Sequence, residues 1–420
     1  MPFRNGVLSY ARCAVVSGAA PQSIDEAALA KLNANRIRPD ACGNGVAMTS
    51  GWIAGRHVFD LEFSHESNSF SSVLLASLRT DTVGVPPALK RAYRAMAEDE
   101  LRGGAQSDRQ LSRADRMEAK ERAEQRAMHE IGEGRWRKIA ERPVLWDLEN
   151  KFVLSAVDGE AAFNQLKLVM AETFDCHIER QAAGRRAVAD AEALGLAREL
   201  RDAQADAFVS PPAAIATDAD GAPRRIGDRP EPTWAAGDPL DYFGNVFLLW
   251  LWWKCDCAEG LVEVGAPGSE TTEVALVAER HLDLECAWGV TGAVSLRGDA
   301  PTRSPEAARA LQSGKMPRRL GLTVAADGQV WRCTLQGDRL TVGGLVLPKP
   351  IEPPQSIREL IEERIESTLS FERTLGALYQ TFLRVRLGAE WKSTKANMSG
   401  WIRERAAGRL VTGSPISVGR

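Results

Sequence analysis

SPEAARALQSGKMPRRLGLTVAADGQVWRCTL, residues 304–335, holds the clearest secondary-structure pattern in the chain. The alanine-rich segment Ser304–Ser313 predicts a short helix. Apolar and polar residues then alternate over Leu320–Ala325 and Gln329–Gln336, with Asp327 and Gly328 between them, which predicts two strands joined by a turn. A helix beside a strand pair favours the α+β class over an all-α or an all-β fold.

The same mixture continues on both sides of this stretch. We expect further strands over Glu273–Ala278, Gly289–Arg297 and Arg339–Val346, and a last helical pair over Ser356–Leu387 and Thr394–Ala407. The apolar run YFGNVFLLWLWW, Tyr242–Trp253, is shorter than the roughly 20 residues that a membrane span needs, and it is interpreted as a buried element. Its adjacent tryptophans could stack on bases, but they are more typical of a core.

The N-terminal half divides into segments of different composition. We expect a strand over residues 6–16, a helix over Ser23–Asn35, and strands over His57–Phe63 and Phe70–Arg79. The predicted parts are residues 1–85 (an N-terminal β-rich part), 86–142 (a charged helical region), 143–209 (a second α+β part, with a helix over 185–204), 210–240 (a proline-rich linker), 241–347 (a C-terminal β-rich part) and 355–420 (a basic helical extension).

The charged helical region has an unusual composition. Residues 88–142 hold 14 Lys and Arg against 11 Asp and Glu, with many alanines and few β-branched residues. This composition predicts helices, interrupted at Gly103-Gly104 and again near Gly132. The helix predicted over Ser107–Glu130 is polar nearly all round, so it either bridges domains or presents a charged face to a partner.

Binding of a polyanion would require local clusters of positive charge, because the net charge of the chain is only −3. On the predicted charged helix, Arg109, Arg113, Arg116 and Lys120 are spaced to share one face. From composition alone a solvated helix surface is the more usual explanation of such a run, and Glu118 precedes Arg122 by four residues, the pairing that stabilises such a surface. The other clusters are Arg135, Arg137 and Lys138 around Trp136, and Arg297, Lys315, Arg318 and Arg319 further along.

The sequence contains no P-loop, no dinucleotide-binding fingerprint, no HExxH motif and no nucleophile elbow. The seven cysteines are scattered, so we predict reduced thiols and no zinc site. The N-terminal MPFRNGVLSYARCAVV lacks the long apolar run and the cleavage site of a signal peptide, so we predict a cytoplasmic protein, and we predict no cofactor. In WDLENK, Asp147, Glu149 and Lys151 have the residue types of a Mg²⁺-dependent nuclease, in which carboxylates hold the metal ion and lysine positions water. Alternating charges on a half-exposed strand explain the same residues.

The order of these features resembles the RdgC family of recombination-associated DNA-binding proteins. The resemblance covers roughly residues 3–180 and 240–385. It is carried by VLLASLRTDTVGVPPALKRAYRAM (73–96), by GRWRK (134–138) before the strand with LWD, by LLWLWW (248–253), and most specifically by Gly314-Lys315 with its flanks. The proline-rich linker, the loop 255–270 and the C-terminal extension depart from the family pattern.

The resemblance implies a ring-shaped homodimer that surrounds duplex DNA. Such proteins are nucleoid-associated, bind DNA without sequence preference and restrain the recombinase by occupying the duplex. By this resemblance Arg113 faces DNA, Trp136 closes the dimer contact, and Arg297 and Lys315 belong to a second basic region.

We therefore predict a non-enzymatic, sequence-independent binder of double-stranded DNA. The alternatives are a Mg²⁺-dependent nuclease and a protein–protein interaction module. The module would bind an acidic protein through its basic surfaces, with the tryptophan run as a contact. The predicted DNA-binding residues are Arg109, Arg113, Arg116, Lys120, Arg135, Arg137, Lys138, Arg297, Lys315, Arg318 and Arg319.

Overall fold

A computed structural model describes residues 3–39, 46–104, 109–132, 135–157, 159–210, 237–265, 271–289, 291–350 and 352–408. The fold is mixed α+β, as predicted, with eleven α-helices and thirteen strands in these ranges. Every strand pairing with a described register is antiparallel. Residues 211–236 of the predicted linker and 409–420 of the predicted extension lie outside the described residues. No helix in these ranges is long and apolar enough to cross a membrane.

The secondary structure has the following bounds. The strands are β1 (Leu8–Gly18), β2 (Met48–Ile53), β3 (Ser69–Phe70), β4 (Val73–Val83), β5 (Arg137–Asp147), β6 (Phe152–Ser155), β7 (Cys176–Arg180), β8 (Leu261–Val264), β9 (Thr272–Cys286), β10 (Val294–Gly298), β11 (Lys315–Ala326), β12 (Gln329–Gln336) and β13 (Thr341–Val346). The α-helices are α1 (Glu26–Ala34), α2 (His65–Asn68), α3 (Pro87–Arg102), α4 (Arg113–Gly132), α5 (Glu160–Phe174), α6 (Ala183–Ala193), α7 (Ala197–Arg201), α8 (Tyr242–Cys257), α9 (Pro305–Gln312), α10 (Ile357–Leu387) and α11 (Trp391–Ala406).

The chain forms two compact units. The first unit comprises residues 1–14, 152–158 and 179–420. Its strands follow the order β10-β9-β11-β12-β13-β1-β6, with β8 paired to β9. The apolar run predicted to be buried is α8, which packs on β9 and β11. Trp250 lies against Phe382 of α10, and Trp252 lies edge-on to Trp401 of α11. These tryptophans are therefore core residues.

The second unit comprises residues 15–151 and 159–178. Its strands β5, β4 and β2 are adjacent in that order, and β3 pairs with β4. The core centres on Trp146, whose ring lies edge-on to Phe174 at 5.0 Å between centroids. Trp52 is buried beside them and donates a hydrogen bond to Thr173. In this unit α3 and α4 occupy the connection between β4 and β5, so the charged helical region begins and ends at one end of a β-hairpin.

Some sequence-based predictions of secondary structure are wrong. The helix predicted over Ser107–Glu130 begins at Arg113, because Ser112 and Asp115 cap it there, so Arg109 lies before α4 rather than on it.

Residues 57–63 do not form a strand, because the buried carboxylate of Asp60 accepts two hydrogen bonds from the Arg56 guanidinium and one from its backbone, which closes a loop. The strand of this region is β2, which sequence analysis missed. The helix predicted over residues 185–204 is divided into α6 and α7, because Gly195 adopts a left-handed backbone with φ of 72°.

Candidate nucleic-acid interface

The helical hairpin α3–α4 carries most of the predicted DNA-binding residues of the second unit. Pro87 occupies the first turn of α3, and Gly103 ends that helix with φ of 92°. Ser112 and Asp115 cap α4 reciprocally: the Ser112 hydroxyl accepts from the Asp115 N–H at 3.1 Å, and the Asp115 carboxylate accepts from the Ser112 N–H at 2.9 Å. Local sequence therefore fixes where the two helices end and begin.

The hairpin has a small core. Val85, Tyr93, Ala123 and Ala127 are buried together, with Trp136 and two aliphatic side chains packed against them. Because alanine side chains make up half of the buried set, the two helices hide little of their surface from solvent. Long charged side chains on the remaining faces are left exposed.

A buried carboxylate ties α3 to the base of the hairpin. Glu130 of α4 accepts a hydrogen bond from the Tyr93 hydroxyl at 2.7 Å and another from the Trp136 indole at 2.7 Å. These two hydrogen bonds lower the pKa of Glu130 below its ordinary value. The same bond to Glu130 raises the pKa of Tyr93. Trp136, predicted as a dimer contact, is half-buried and uses its N–H within its own chain.

The predicted cations of α4 are exposed. Arg113 and Arg116 form no ion pair within the described residues, whereas Lys120 lies 3.8 Å from Glu124 on the next turn. Such surface pairs contribute about 0–1 kcal/mol and are easily exchanged for another anion. The structure therefore leaves Arg113, Arg116 and Lys120 available for an external polyanion.

Four arginines line one cleft of the hairpin, here called the arginine cleft: Arg94 and Arg102 of α3, Arg109 before α4, and Arg116 of α4. Sequence analysis selected Arg109 and Arg116 but missed Arg94 and Arg102. The spacing of Arg94 and Arg102, about two helical turns on α3, was the signal that could have identified them. The Arg109 guanidinium also donates to the Leu101 carbonyl at 3.3 Å.

The cations at the base of the hairpin have different environments. Arg137 is half-buried, lies 3.3 Å from the buried Asp81 carboxylate and donates to the Pro39 carbonyl. Asp81 already holds Arg79 through two hydrogen bonds of 2.7 Å. Arg137 therefore stabilises the second unit internally. Arg135 lies 4.0 Å from Glu130 and is exposed, and Lys138 is exposed on β5.

In the first unit, Arg297 and Arg319 meet at the same carboxylate. Arg297 donates to Asp283 at 2.9 Å and Arg319 lies 3.8 Å from it, while Ser295 and His281 also contact it. Burial alone would raise the pKa of Asp283, but hydrogen bonds from Ser295, His281 and Arg297 outweigh it and lower that pKa to about 2. One anion thus offsets much of the positive charge of this pair.

Nearby carboxylates also offset part of the positive charge of the cluster formed by Lys315, Arg318 and Arg319. In sequence it has no adjacent acids, but Arg318 lies 3.2 Å from Glu285 and 3.3 Å from Asp338 in the fold. Lys315 is buried and donates to the Thr291 hydroxyl. Strand pairing brings these acids in from distant parts of the chain.

Asp147, Glu149 and Lys151 surround a tight turn between β5 and β6. The Asp147 carboxylate is buried and accepts from the Asn150 N–H at 2.9 Å and from the Asn150 side-chain amide at 2.8 Å. Glu149 and Lys151 are exposed, and Lys151 has φ of 54°. Across the described ranges, no group of three or more His, Cys, Asp or Glu is placed to hold a metal ion.

The chain matches no protein-family model and no curated protein sequence. The proposed function therefore rests on the positions and charges of the residues described above.

Proposed function

We propose that the protein binds double-stranded DNA without sequence preference, as a non-enzymatic, recombination-associated protein similar to the RdgC family. The observation that carries the proposal is the set of exposed cations on the α3–α4 hairpin, including Arg113 and Arg116, which form no ion pair within the described residues. Such side chains can contact phosphates and release condensed counterions, which is the main source of non-specific affinity.

The distribution of charge supports the same location. Residues 87–138, which comprise the α3–α4 hairpin and its base, hold thirteen Lys and Arg against ten Asp and Glu, whereas the whole chain has a net charge of −3. The hairpin alone, residues 87–132, holds ten Lys and Arg against nine Asp and Glu, so most of this excess comes from the base. The rest of the chain carries −6, so it repels DNA on average while the hairpin with its base attracts it. Arg297, Lys315, Arg318 and Arg319 are weaker candidates, because acids or burial already engage them.

The first experiment is binding of the purified full chain to several unrelated duplexes across a salt series, with and without Mg²⁺. Salt-sensitive binding of similar strength to every duplex, with the DNA left intact, is the expected result. Absence of binding at low salt would refute the proposal and favour an interaction module. Cleavage in Mg²⁺ that disappears in Lys151→Ala would favour the nuclease.

The proposal includes a ring-shaped homodimer that restrains a recombinase by enclosing the duplex. A ring predicts that protein loaded on closed circular DNA resists a high-salt wash, whereas protein on the same DNA made linear slides off its ends. Equal loss from both forms, or a monomer in sedimentation, would refute the ring while leaving DNA binding intact. Trp136→Ala tests the predicted dimer contact, with Trp391→Ala in the first unit as the matched control.

A further inference from the structure

The arginine cleft of the hairpin has the size and charge of an anion-binding site. Its volume is about 620 Å³, within the range of about 300–1,000 Å³ that is typical of ligand sites. Four of its five charged lining side chains are arginines, and Glu98 is the fifth. Leu111 is the apolar lining residue and no aromatic ring lines the cleft, so the cleft offers nothing on which a base could stack.

Three of the four arginines of the cleft are held by exchangeable partners. Arg94 pairs with Glu98 at 2.9 Å, Arg102 with Asp99 at 2.8 Å and Arg109 with Asp115 at 3.4 Å. These guanidinium groups are one-third to two-thirds exposed, so their pairs with carboxylates are weak. The local pairs keep the guanidiniums near the cleft, and the pairs of Arg94 and Arg102 each use one of the five N–H donors of the side chain. A ligand with several oxygens can therefore take over these donors.

We propose that the arginine cleft binds a run of linked phosphate groups. Guanidinium forks match phosphate oxygens in bidentate geometry, and several forks in one cleft match several neighbouring phosphates better than one isolated ion. Two sources share this chemistry, the backbone of a nucleic acid and a free linear polyphosphate. Only the first source rests on the proposed DNA-binding function.

The test is calorimetric titration of the full chain with tripolyphosphate at low salt. The cleft variant is Arg94→Gln with Arg116→Gln. The control variant is Lys90→Gln with Arg91→Gln, which removes the same charge from exposed positions of the same hairpin that do not line the cleft. We expect the cleft variant to bind at least tenfold more weakly and the control to lose less than about threefold. Equal losses, or no binding by the wild type, would overturn the proposal.

A second arm separates the two sources. If tripolyphosphate displaces a labelled duplex and the cleft variant also binds duplex more weakly, the DNA backbone occupies the cleft. If the cleft variant loses affinity for tripolyphosphate but keeps its affinity for duplex DNA, the cleft binds free polyphosphate. If the wild type binds duplex but not tripolyphosphate, the cleft proposal fails while the DNA-binding function stands. Circular dichroism of each variant checks that the helices remain folded.

Discussion

Replacing Arg113, Arg116 and Lys120 by glutamine tests whether the exposed face of α4 contacts DNA phosphates. Glutamine is a good helix former and the three side chains are exposed, so the helix should persist while three charges are lost. Each phosphate contact contributes about 0.9 to the slope of log K against log salt, so three lost contacts flatten that slope by about 2.7. Between about 50 and 200 mM salt, wild-type affinity should therefore fall about 40-fold more than the variant's.

Fluorescence anisotropy with a short labelled duplex across that salt range measures this difference. A matched control, Arg373→Gln with Lys392→Gln and Arg403→Gln, removes the same charge from exposed positions on α10 and α11. The control should keep the wild-type slope. An unchanged slope in the α4 variant, or an equal flattening in the control, would refute the assignment of the interface to the hairpin.

Three further predictions concern stability and electrostatics. In Gly244→Ala the new Cβ would lie 1.9 Å from the Gly337 carbonyl oxygen, so we expect the free energy of unfolding, measured by denaturant titration, to fall by about 3 kcal/mol. The control is Gly400→Ala, where a Cβ has no atom within 4 Å, and it should leave the free energy of unfolding undiminished. Glu130→Ala should speed amide exchange in α3 and α4, because the Tyr93 hydroxyl and the Trp136 indole lose their acceptor. Since these hydrogen bonds lower the pKa of Glu130 from its ordinary value of 4.5, the stabilisation that the ionised Glu130 gives is fully present above pH 4.5 and is lost as the pH falls below it. Exchange that stays at the wild-type rate in the variant would contradict this role of Glu130. Asp283→Asn should strengthen salt-dependent duplex binding if Arg297 and Arg319 lie in the interface, and unchanged binding would place them outside it.

Local pattern predicted the secondary structure around residues 304–336 well. The helix is α9 and the second strand coincides with β12, because alternation and turn residues act over a few positions. Residues 57–63 were predicted wrongly, because the alternating apolar residues there belong to a loop closed by Asp60. The arginine cleft was only half predicted. Its members come from two helices, and which faces meet depends on tertiary packing. The DNA-binding role of these residues stays a prediction.

The basic residues on the sheet of the first unit are largely paired with acids, whereas several on the α3–α4 hairpin are not, and this difference has a physical cause. In the antiparallel sheet of the first unit, each exposed side chain has cross-strand neighbours from distant sequence, so Asp283 lies opposite Ser295 and beside Arg319. A basic run in sequence can therefore be neutralised in the sheet. In the helical hairpin, by contrast, several exposed ion pairs join residues one turn apart on the same helix, such as Arg94 with Glu98 and Lys120 with Glu124. The local sequence therefore indicates more of the charge environment there than it does in the sheet. Clusters of Lys and Arg are for this reason stronger indications of a polyanion interface on the α3–α4 hairpin than on the sheet of the first unit.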